Sequence, residues 1–326
     1  SQHSLTAEDL TALKNLFEHA TTFGSLIQVP PTLAEKLPAL KQLSETDSQD
    51  MFVKEVLEHL GPLVQQAEIL EAQYDAVVAN PPYIGNKYHT TDLKKFLKAH
   101  YNGYEKDVFS AFIDRDFEFS KPNGRLGFMS PFVWMFISTH FDLRSRLIDK
   151  ESITSLVQLE YSGFEGATVP ICTFTLQKSH VHERVGCYIK LSNFRGFEIQ
   201  SPKVLEAINN RNCVWFFETK QNEFKKIPGS PLAYWVGSKE IDLYAGGSTI
   251  DAVGQPRKGM DTGENVEFLR LWWEIPFSTS TLSNDSSISK WYPYNKGGDF
   301  RRWYGNRDHV INWLSDGAEI KARLHW

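Results

Sequence analysis

The sequence has few of the residues that build disulfide frameworks, zinc sites or membrane spans. It contains three cysteines, Cys172, Cys187 and Cys213, and no CxxC pair, so neither a disulfide network nor a zinc site of ordinary spacing is indicated. The longest apolar run, in residues 126–138, is interrupted by a proline and is shorter than the roughly 18 residues typical of a membrane span. We therefore expect a protein of the reducing cytoplasm, with no bound metal and no membrane contact.

The sequence also has no strong charge of either sign. The net charge is −5 in 326 residues, and 41% of the residues are hydrophobic, which is ordinary for a globular protein and excludes a disordered one. Any contact with nucleic acid must then come from a local basic patch. The length allows two domains. The first residue is Ser1 rather than Met, and we expect that the chain was cut from a longer protein.

Hydrophobic periodicity divides the chain into three predicted regions. Residues 1–70 are predicted to form a helical insertion or spacer, in which Thr6 caps the first helix and a later helix begins near Met51 and ends at Gly61 and Pro62. Residues 71–195 alternate strands with helices, which favours the α/β class. Residues 196–326 are rich in glycine, proline and aromatic residues and indicate a linker and the start of a β-rich domain.

The middle region begins with an apolar strand and contains a clear helix start. Val77, Val78 and Ala79 form an apolar run that is typical of a parallel strand buried on both faces. Asp107 is predicted to cap a helix that turns its apolar side inward. Two alternating runs, 171–177 and 185–191, are separated by a short polar loop and predict an antiparallel hairpin.

The stretch "NPPY" directly after the first strand is a hydrogen-bonding device. Two consecutive prolines keep the backbone extended and leave the carbonyl of Pro81 without a ladder partner. That carbonyl and the side-chain oxygen of Asn80 can accept both hydrogens of one amino group. Two acceptors favour the more tetrahedral, more nucleophilic nitrogen that a planar amine needs when it attacks an electrophile. The alternative is an ordinary Pro-Pro turn followed by Tyr83.

The "NPPY" stretch resembles the target-base motif of S-adenosylmethionine-dependent amino methyltransferases, chiefly the DNA adenine-N6 enzymes. The segment "KDVFSAFIDRDFEFSKPNGRLGFMSPFVWM" is similar to the one that follows this motif in gamma-class and Type IIG restriction-modification methyltransferases. Further on, "KWYPYNKGGDFRRWYGNRDHVINW" is similar to the adenine methyltransferase of bacteriophage-exclusion (BREX) systems. The resemblance implies a partial Rossmann-like methyltransferase sheet in residues 71–195, with a helical N-terminal segment and an α+β or β-rich C-terminal region that begins a target-recognition domain.

The resemblance also implies roles for individual residues. Asn80, Pro81 and Pro82 would hold the N6 amine of an adenine flipped out of double-stranded DNA, and Tyr83 would stack on the base. The cofactor S-adenosylmethionine would contact Asn80, Asp107 and Phe112, although Phe112 can equally be a core residue. Phe174 is the only aromatic residue in the 171–177 run that could offer a second surface to the base. Core packing is the other reading of Phe174.

One element of this family is missing from the sequence. Cofactor binding in this fold relies on a glycine-rich turn after the first strand. Residues 1–79 contain only Gly24 and Gly61, and neither lies in such a context; we find no convincing turn later in the chain. The sequence therefore predicts that the isolated chain binds S-adenosylmethionine weakly, is inactive alone, and depends on the missing N-terminal half of the domain or on other defence-system subunits.

The C-terminal segment 290–326 has a positive net charge, whereas the whole chain is negative. It carries seven Lys or Arg residues against four acidic residues, interleaved with tryptophan, tyrosine and phenylalanine. Basic groups beside aromatic rings suit contacts with phosphates and bases. The predicted DNA-binding residues are Lys296, Arg301, Arg302 and Trp303. Aromatic residues in such number could instead build the core of a small β-rich domain.

Other functions remain open at this level. The chain could be a noncatalytic DNA- or partner-binding module derived from a methyltransferase, or it could methylate a protein glutamine or a cytosine amine. Asp114, Asp116 and Glu118 could suggest metal ligands, but their spacing does not converge on one helical face. A solvated surface is the expected role of these three acids.

Overall fold

The computed structural model describes residues 5–165, 169–248, 250–255, 260–282 and 289–323. Contacts between Cα atoms divide the chain into two units, Ser1–Gly247 and Ser248–Trp326. The helices of the first unit are α1 (Ala7–Leu16), α2 (Ala20–Phe23), α3 (Pro31–Ala34), α4 (Leu37–Ser44), α5 (Met51–Glu71), α6 (Thr91–His100), α7 (Val108–Phe119), α8 (Phe141–Asp149), α9 (Phe197–Asn209) and α10 (Ser238–Gly246). Its strands are β1 (Tyr74–Ala79), β2 (Ser120–Pro131), β3 (Ser152–Gln158), β4 (Ile171–Gln177), β5 (Val185–Lys190) and β6 (Phe216–Lys220).

The N-terminal helices have their own core. Thr6 caps α1 as predicted, and Asp9 completes a capping box. The prediction that the later helix ends at Gly61 and Pro62 is wrong, since α5 continues to Glu71. Proline removes only one intrahelical hydrogen bond, and the buried face of α5 continues on both sides of it. That face consists of Leu57, Leu60, Val64 and Ala67.

A buried arginine ties these helices to the sheet region. The guanidinium of Arg115, on α7, donates to the carbonyl oxygens of Ser25 at 3.1 Å, Ile27 at 2.9 Å and Leu70 at 2.8 Å. Arg115 also pairs with Glu118. Charge-assisted bonds to three carbonyls satisfy a guanidinium that is otherwise costly to bury. The helical segment is thus fastened to α7.

The sheet of the first unit is mixed, with the strand order β1-β2-β4-β3-β5-β6. β1 pairs with β2 and β3 pairs with β5 in parallel, whereas β4 runs antiparallel to β2 and β3. The predicted hairpin of β4 and β5 is wrong, because β3 lies between them. Neighbours in sequence pair often but not always, and β3 forms ladders on both of its edges. The α/β class is confirmed by this sheet and its flanking helices.

One face of the sheet carries the core of the unit. Leu126, Phe128, Phe174 and Leu176 point to this face and are buried against residues of α7 and α8, including Phe109, Ile113, Phe117, Leu143 and Leu147. We call it the closed face. On the opposite face, α9 covers only the part near β5, where Ala207 packs with Ile189 and Leu191.

The sheet and its cover extend beyond residue 195, where the sequence placed a domain boundary. β6 pairs antiparallel with β5, and α9, a helix of 13 residues, lies where no long periodic element was expected. Pro202 and the polar spacing of this helix hide its periodicity in the sequence. The compact division of the chain falls after Gly247 instead.

The second unit is small and contains a three-stranded antiparallel sheet. Its strands have the order β7-β9-β8, and Phe268, Leu269, Ile311 and Ile320 form its core. Its elements are α11 (Ile250–Val253), α12 (Asn265–Phe268), β7 (Leu269–Leu271), β8 (Trp291–Tyr294), β9 (His309–Asn312) and α13 (Leu314–Arg323). Among the helices described in the two units, none combines the length and apolar character that crossing a bilayer requires.

Candidate functional site

Four strands of the sheet end at the same edge. Because β1, β2, β3 and β5 point in one direction, the residues that follow them lie along one side of the sheet. Asn80 follows β1, and the aromatic turn that starts at Phe132 follows β2. The carboxyl ends of parallel strands are where ligands sit in open α/β sheets. The NPPY stretch is therefore placed at the edge that the fold offers for binding.

Within this stretch, Asn80 and Tyr83 contact each other. The hydroxyl of Tyr83 lies 2.8 Å from Asn80 Oδ1 and 3.3 Å from the carbonyl oxygen of Met129. Burial raises the pKa of the Tyr83 hydroxyl, so it stays protonated and donates. One lone pair of Asn80 Oδ1 accepts this hydrogen bond and the other is available. The ring of Tyr83 is half-buried against the core, and this contact was not foreseen from the sequence.

The loop after Tyr83 is fastened to the start of α7. The amide of Val108 donates to the carbonyl of Ile84 at 3.1 Å, and the amide of Asn86 donates to the carbonyl of Lys106 at 3.0 Å. Asp107 caps α7 by accepting from the amide of Phe109 at 3.3 Å, as predicted. Desolvation raises the pKa of the Asp107 carboxyl. The backbone around Asp107, which also forms a bridge with Gly85, thus holds the loop after Tyr83 beside the start of α7.

Phe112 lies on the same helix but belongs to another cluster. It is half-buried and packs with Leu26, Leu93, Leu97 and Tyr101, on the side of α7 that faces α6 and the N-terminal helices. A role toward the cofactor stays a prediction. The contacts that the structure gives Phe112 are those of a packing residue.

Phe174 is buried in the core of the first unit. The side chain is 2% exposed, and its ring centroid lies 5.3 Å from that of Phe128 and 5.0 Å from that of Trp134. Residues 172, 174 and 176 of β4 all point to the closed face, so the alternation of a strand buries this ring. These contacts are those of a core residue, and a role of Phe174 toward DNA stays a prediction.

Two aromatic residues that were not predicted to be functional lie at the edge of the sheet where β1, β2, β3 and β5 end. Tyr161 and Phe164 are exposed and follow β3, whose carboxyl end lies at that edge. The Tyr161 ring packs edge-on against Phe132, with centroids 5.5 Å apart. The available signal was their position between the end of one predicted strand and the start of the next.

Beside Asn80, part of the sheet has no cover among the described residues. Val78 is 86% exposed, although the apolar run predicted burial on both faces, and that part of the prediction is wrong. The lining residues of an open depression of about 430 Å³ are Val78, Ala79, Asn80, Gly127, Phe128, Met129, Ser155, Val157, Thr173, Phe174 and Thr175. The rings of Phe128 and Phe174 belong to the core on the closed face. We call this surface the open face. Within the described part of the chain, β1 also pairs on one side only.

Neither glycine of residues 5–73 lies in a glycine-rich turn between a strand and a helix. A glycine-rich turn that approaches a cofactor follows a strand and opens a helix. In the described residues before Tyr74, every regular element is helical. Gly24 lies between α2 and a short 3-10 turn, and Gly61 lies inside α5. In residues 5–73, therefore, no strand leads into a glycine-rich turn, whereas Asn80 lies at the carboxyl edge of the sheet.

The predicted DNA-binding residues lie together in the second unit. Lys296, Arg301, Arg302 and Trp303 all belong to the connection between β8 and β9.

In the portion of the chain that the structure describes, no three His, Cys, Asp or Glu side chains form a group that could hold a metal ion. Asp114 pairs with Arg146 and Asp116 is buried, so the expected solvated surface is wrong for these two acids. Glu118 is exposed, as expected.

Comparison with known proteins gives a family match and similar relatives. Residues 6–164 match the family described as Eco57I restriction-modification methylase. The adenine-specific methyltransferase PglX of Lacticaseibacillus casei (strain Zhang) is 32% identical over 97% of this chain and 27% of that protein. The adenine-specific methyltransferase BrxX of Escherichia coli O9:H4 (strain HS) is 35% identical over 94% of this chain and 25% of that protein. These matches confirm the resemblance predicted from the sequence.

The matches cover only part of the length of each relative. The chain spans about a quarter of the length of PglX and BrxX. Among solved structures, a type I restriction-modification methyltransferase subunit from Streptococcus thermophilus matches with a TM-score of 0.38 and 14% identity, over 71% of this chain and 58% of that one. The nuclease-deletion mutant of LlaGI with a DNA substrate mimic matches with a TM-score of 0.39 and 13% identity, over 60% and 18%.

Proposed function

Starting from these relatives, we propose that the chain is the base-binding part of an S-adenosylmethionine-dependent DNA adenine-N6 methyltransferase. The observation that carries the proposal is the NPPY turn at the carboxyl edge of the sheet, with Asn80 exposed and held by Tyr83. The family match over residues 6–164 includes this turn. Such an enzyme would mark host DNA in restriction-modification or in phage defence.

The chain's own part in the reaction is to orient an amine. The free lone pair of Asn80 Oδ1 and the carbonyl oxygen of Pro81 would each accept one hydrogen of the adenine amino group. Pro82 keeps the backbone at Pro81 extended. Positive charge that develops on the nitrogen is stabilised by these two oxygens. The hydrogen bond from Tyr83 fixes which end of the Asn80 amide points toward the amine.

The adenine must leave the duplex before its amine can reach Asn80, because the amine is inaccessible inside stacked DNA. Tyr83 would stack on one face of the flipped base. Because Phe174 is buried in the core, Tyr161 and Phe164 are the better candidates for a second aromatic contact. Asp107 would act on the site indirectly, by holding the loop that follows NPPY.

The cofactor-binding part must come from residues outside this chain. The open face supports this, because β1 carries an apolar sequence suited to burial on both faces and leaves Val78 exposed. An N-terminal half of the methyltransferase domain, in the same protein or in another subunit, would cover this face. The isolated chain should then bind S-adenosylmethionine weakly and transfer no methyl group. Phe112 would reach the cofactor only in the assembled domain.

Double-stranded DNA is the proposed substrate, and the second unit is proposed to contact it. Lys296, Arg301 and Arg302 would neutralise phosphates, and Trp303 would pack against sugars or bases. Phosphate contacts of this kind position a protein on DNA without reading its sequence. The unit therefore contributes affinity, while the amine acceptors of the first unit select the reacting group.

A chimera tests the proposal. This chain would replace the matching segment of the Lacticaseibacillus casei PglX protein, and methyl transfer from labelled S-adenosylmethionine to duplex DNA would be measured, with adenine-N6 as the product. The chimera should be active and the chain alone inactive. Asn80→Ala in the chimera should lower the rate by at least about 100-fold, in line with the loss of one positioned oxygen at a reacting centre.

Two controls separate the outcomes. Asn86→Ala changes an exposed asparagine in the loop beyond NPPY and should leave the rate near that of the parent chimera, because its amide contact to Lys106 is made by the backbone. A folded chimera that binds DNA but transfers no methyl group, while PglX itself does, would contradict the proposal and leave a noncatalytic binding module.

A further inference from the structure

The connection between β8 and β9 exposes three large aromatic side chains. We call residues 295–308 the aromatic loop. Phe300 is 88% exposed, Trp303 89% and Tyr304 74%. Rings of this size are normally buried, and an exposed apolar cluster on a soluble unit marks an interaction site. The core of this unit is formed by other residues, so these three rings are not needed to hold it together.

The aromatic loop has a defined shape. The side-chain amide of Asn306 donates to the carbonyl of Asp299 at 3.1 Å. A Cβ atom at Gly298 would lie 3.0 Å from the Asn306 side chain, and one at Gly305, where φ is +149°, would lie 2.7 Å from Arg301. The glycines allow the loop to close on itself. The exposed rings are therefore presented from a closed turn.

The loop is also basic. Residues 295–308 contain four cations, Lys296, Arg301, Arg302 and Arg307, and two acids, Asp299 and Asp308. None of the four cations forms an ion pair with an acid in the described ranges. The guanidinium of Arg302 lies 5.6 Å from the Trp303 ring centroid, and that of Arg307 lies 4.5 Å from the Tyr304 ring centroid. Cations beside exposed rings favour a ligand that has both a flat face and a negative charge.

We propose that the aromatic loop stacks on unpaired DNA bases, with Trp303 as the principal ring and the arginines on the adjoining phosphates. In a duplex each base face is covered by its neighbours, so only an unpaired base offers a face to an indole. The inference rests on the proposed function in one respect, the choice of DNA over RNA. It goes beyond that function by making DNA with unpaired bases, rather than intact duplex, the preferred ligand of this loop.

Fluorescence anisotropy with the 326-residue chain tests the inference. The probes are a fluorescein-labelled single-stranded 20-mer and the duplex of the same sequence, each at two or more salt concentrations. The single strand should bind more tightly than the duplex. Trp303→Ala should weaken single-strand binding by roughly 5- to 150-fold, the range found for loss of one stacked base, and should weaken duplex binding much less.

Phe277→Ala is the matched control. Phe277 is an exposed aromatic residue of the same unit outside the loop, and its removal should leave binding unchanged. Trp303→Phe keeps a ring and should retain most of the affinity. Arg302→Gln should lower the salt slope for the single strand by about 0.7. Equal changes for Trp303→Ala and Phe277→Ala, or duplex binding at least as tight as single-strand binding, would overturn the inference.

The test is independent of methyl transfer. Binding that depends on Trp303, in a chain whose PglX chimera has no activity, would support the loop's role while the proposed function fails. If the chimera is active but Trp303→Ala leaves the affinity for the single strand unchanged, the proposed function would stand and the role of the aromatic loop would fail. Phe300→Ala serves as a second variant if Trp303→Ala unfolds the small unit, which circular dichroism would reveal.

Discussion

The two faces of the six-stranded sheet differ in how this chain covers them. On the closed face, Phe128, Phe174 and Leu176 are buried under α7 and α8. On the open face, Val78 is 86% exposed and Thr175 is exposed beside it. The run of Val77, Val78 and Ala79 has the composition of a strand with two covered faces, but the described residues cover only one of them. This difference is what led us to propose a second layer on the open face.

The largest expected effect comes from the closed face. Phe174→Ala should lower the free energy of unfolding by about 3–5 kcal/mol, because it leaves a cavity between Phe128 and Trp134. Thr173→Ala, at the neighbouring position of β4 and directed to the open face, should cost less than about 1 kcal/mol. Urea unfolding followed by circular dichroism measures both. Similar losses for the two variants would remove the distinction between the faces.

A buried acid on the cover of the closed face gives a pH-dependent effect. Desolvation raises the pKa of Asp116 to about 7, opposed by Arg115, and Asp116 Oδ2 has no hydrogen-bond partner. A carboxyl pKa that is higher in the folded protein means that stability is present at low pH and is lost as the pH rises from about 4 to about 7. Asp116→Asn should therefore stabilise the chain at pH 8, by at most about 4 kcal/mol, and have little effect near pH 4.

Asp114→Asn is the matched control for that prediction. Asp114 lies two residues earlier on α7 and pairs with Arg146, so its replacement should destabilise the chain at pH 8. Thermal unfolding of the three proteins between pH 4 and pH 8 checks the signs. An Asp116→Asn variant that is less stable than the parent at pH 8 would show that the carboxylate has a partner.

A smaller effect on stability is expected at the NPPY turn, which lies at the edge of the sheet between the closed face and the open face. Tyr83→Phe keeps the ring and removes the hydrogen bond to Asn80, which should cost about 0.5–1.5 kcal/mol of stability. In the PglX chimera the same change should lower the methyl-transfer rate, because the Asn80 amide is less well oriented. Tyr83→Ala, which also removes the ring, should lower the rate further. Equal rates for Tyr83→Phe and the parent would show that the contact has no part in catalysis.

The smallest effect on the isolated chain is expected on the open face. Val78→Asp should change the stability of the chain by less than about 1 kcal/mol, because the side chain is in solvent. In the chimera the same carboxylate would be buried under the second layer, and the methyl-transfer rate should fall strongly. Glu218→Gln, on the far edge strand β6, is a suitable surface control. A large destabilisation of the isolated chain would show that Val78 is already packed.

Local signals in the sequence predicted local features well. The caps Thr6 and Asp107 depend on a side-chain oxygen and the amides two or three residues later, and both are confirmed. The position of Asn80 after a strand followed from a short apolar run and two prolines. In each case, the atoms that decide the structure lie within a few residues of one another.

Features that depend on distant residues were not predictable in the same way. α5 passes through Gly61 and Pro62 because its buried face packs on the other N-terminal helices. β4 and β5 do not pair because β3 occupies the position between them. The hydroxyl of Tyr83 lies 3.3 Å from the carbonyl oxygen of Met129, which is 46 residues away. None of these has a local signature.

Isothermal titration calorimetry of the isolated chain with S-adenosylmethionine tests the central claim most directly. The account predicts no saturable heat in the micromolar range for the isolated chain, and binding by the PglX chimera in which the open face is covered. Micromolar binding by the isolated, folded chain would mean that its own residues complete the cofactor site, and would contradict the claim that the second layer comes from outside it.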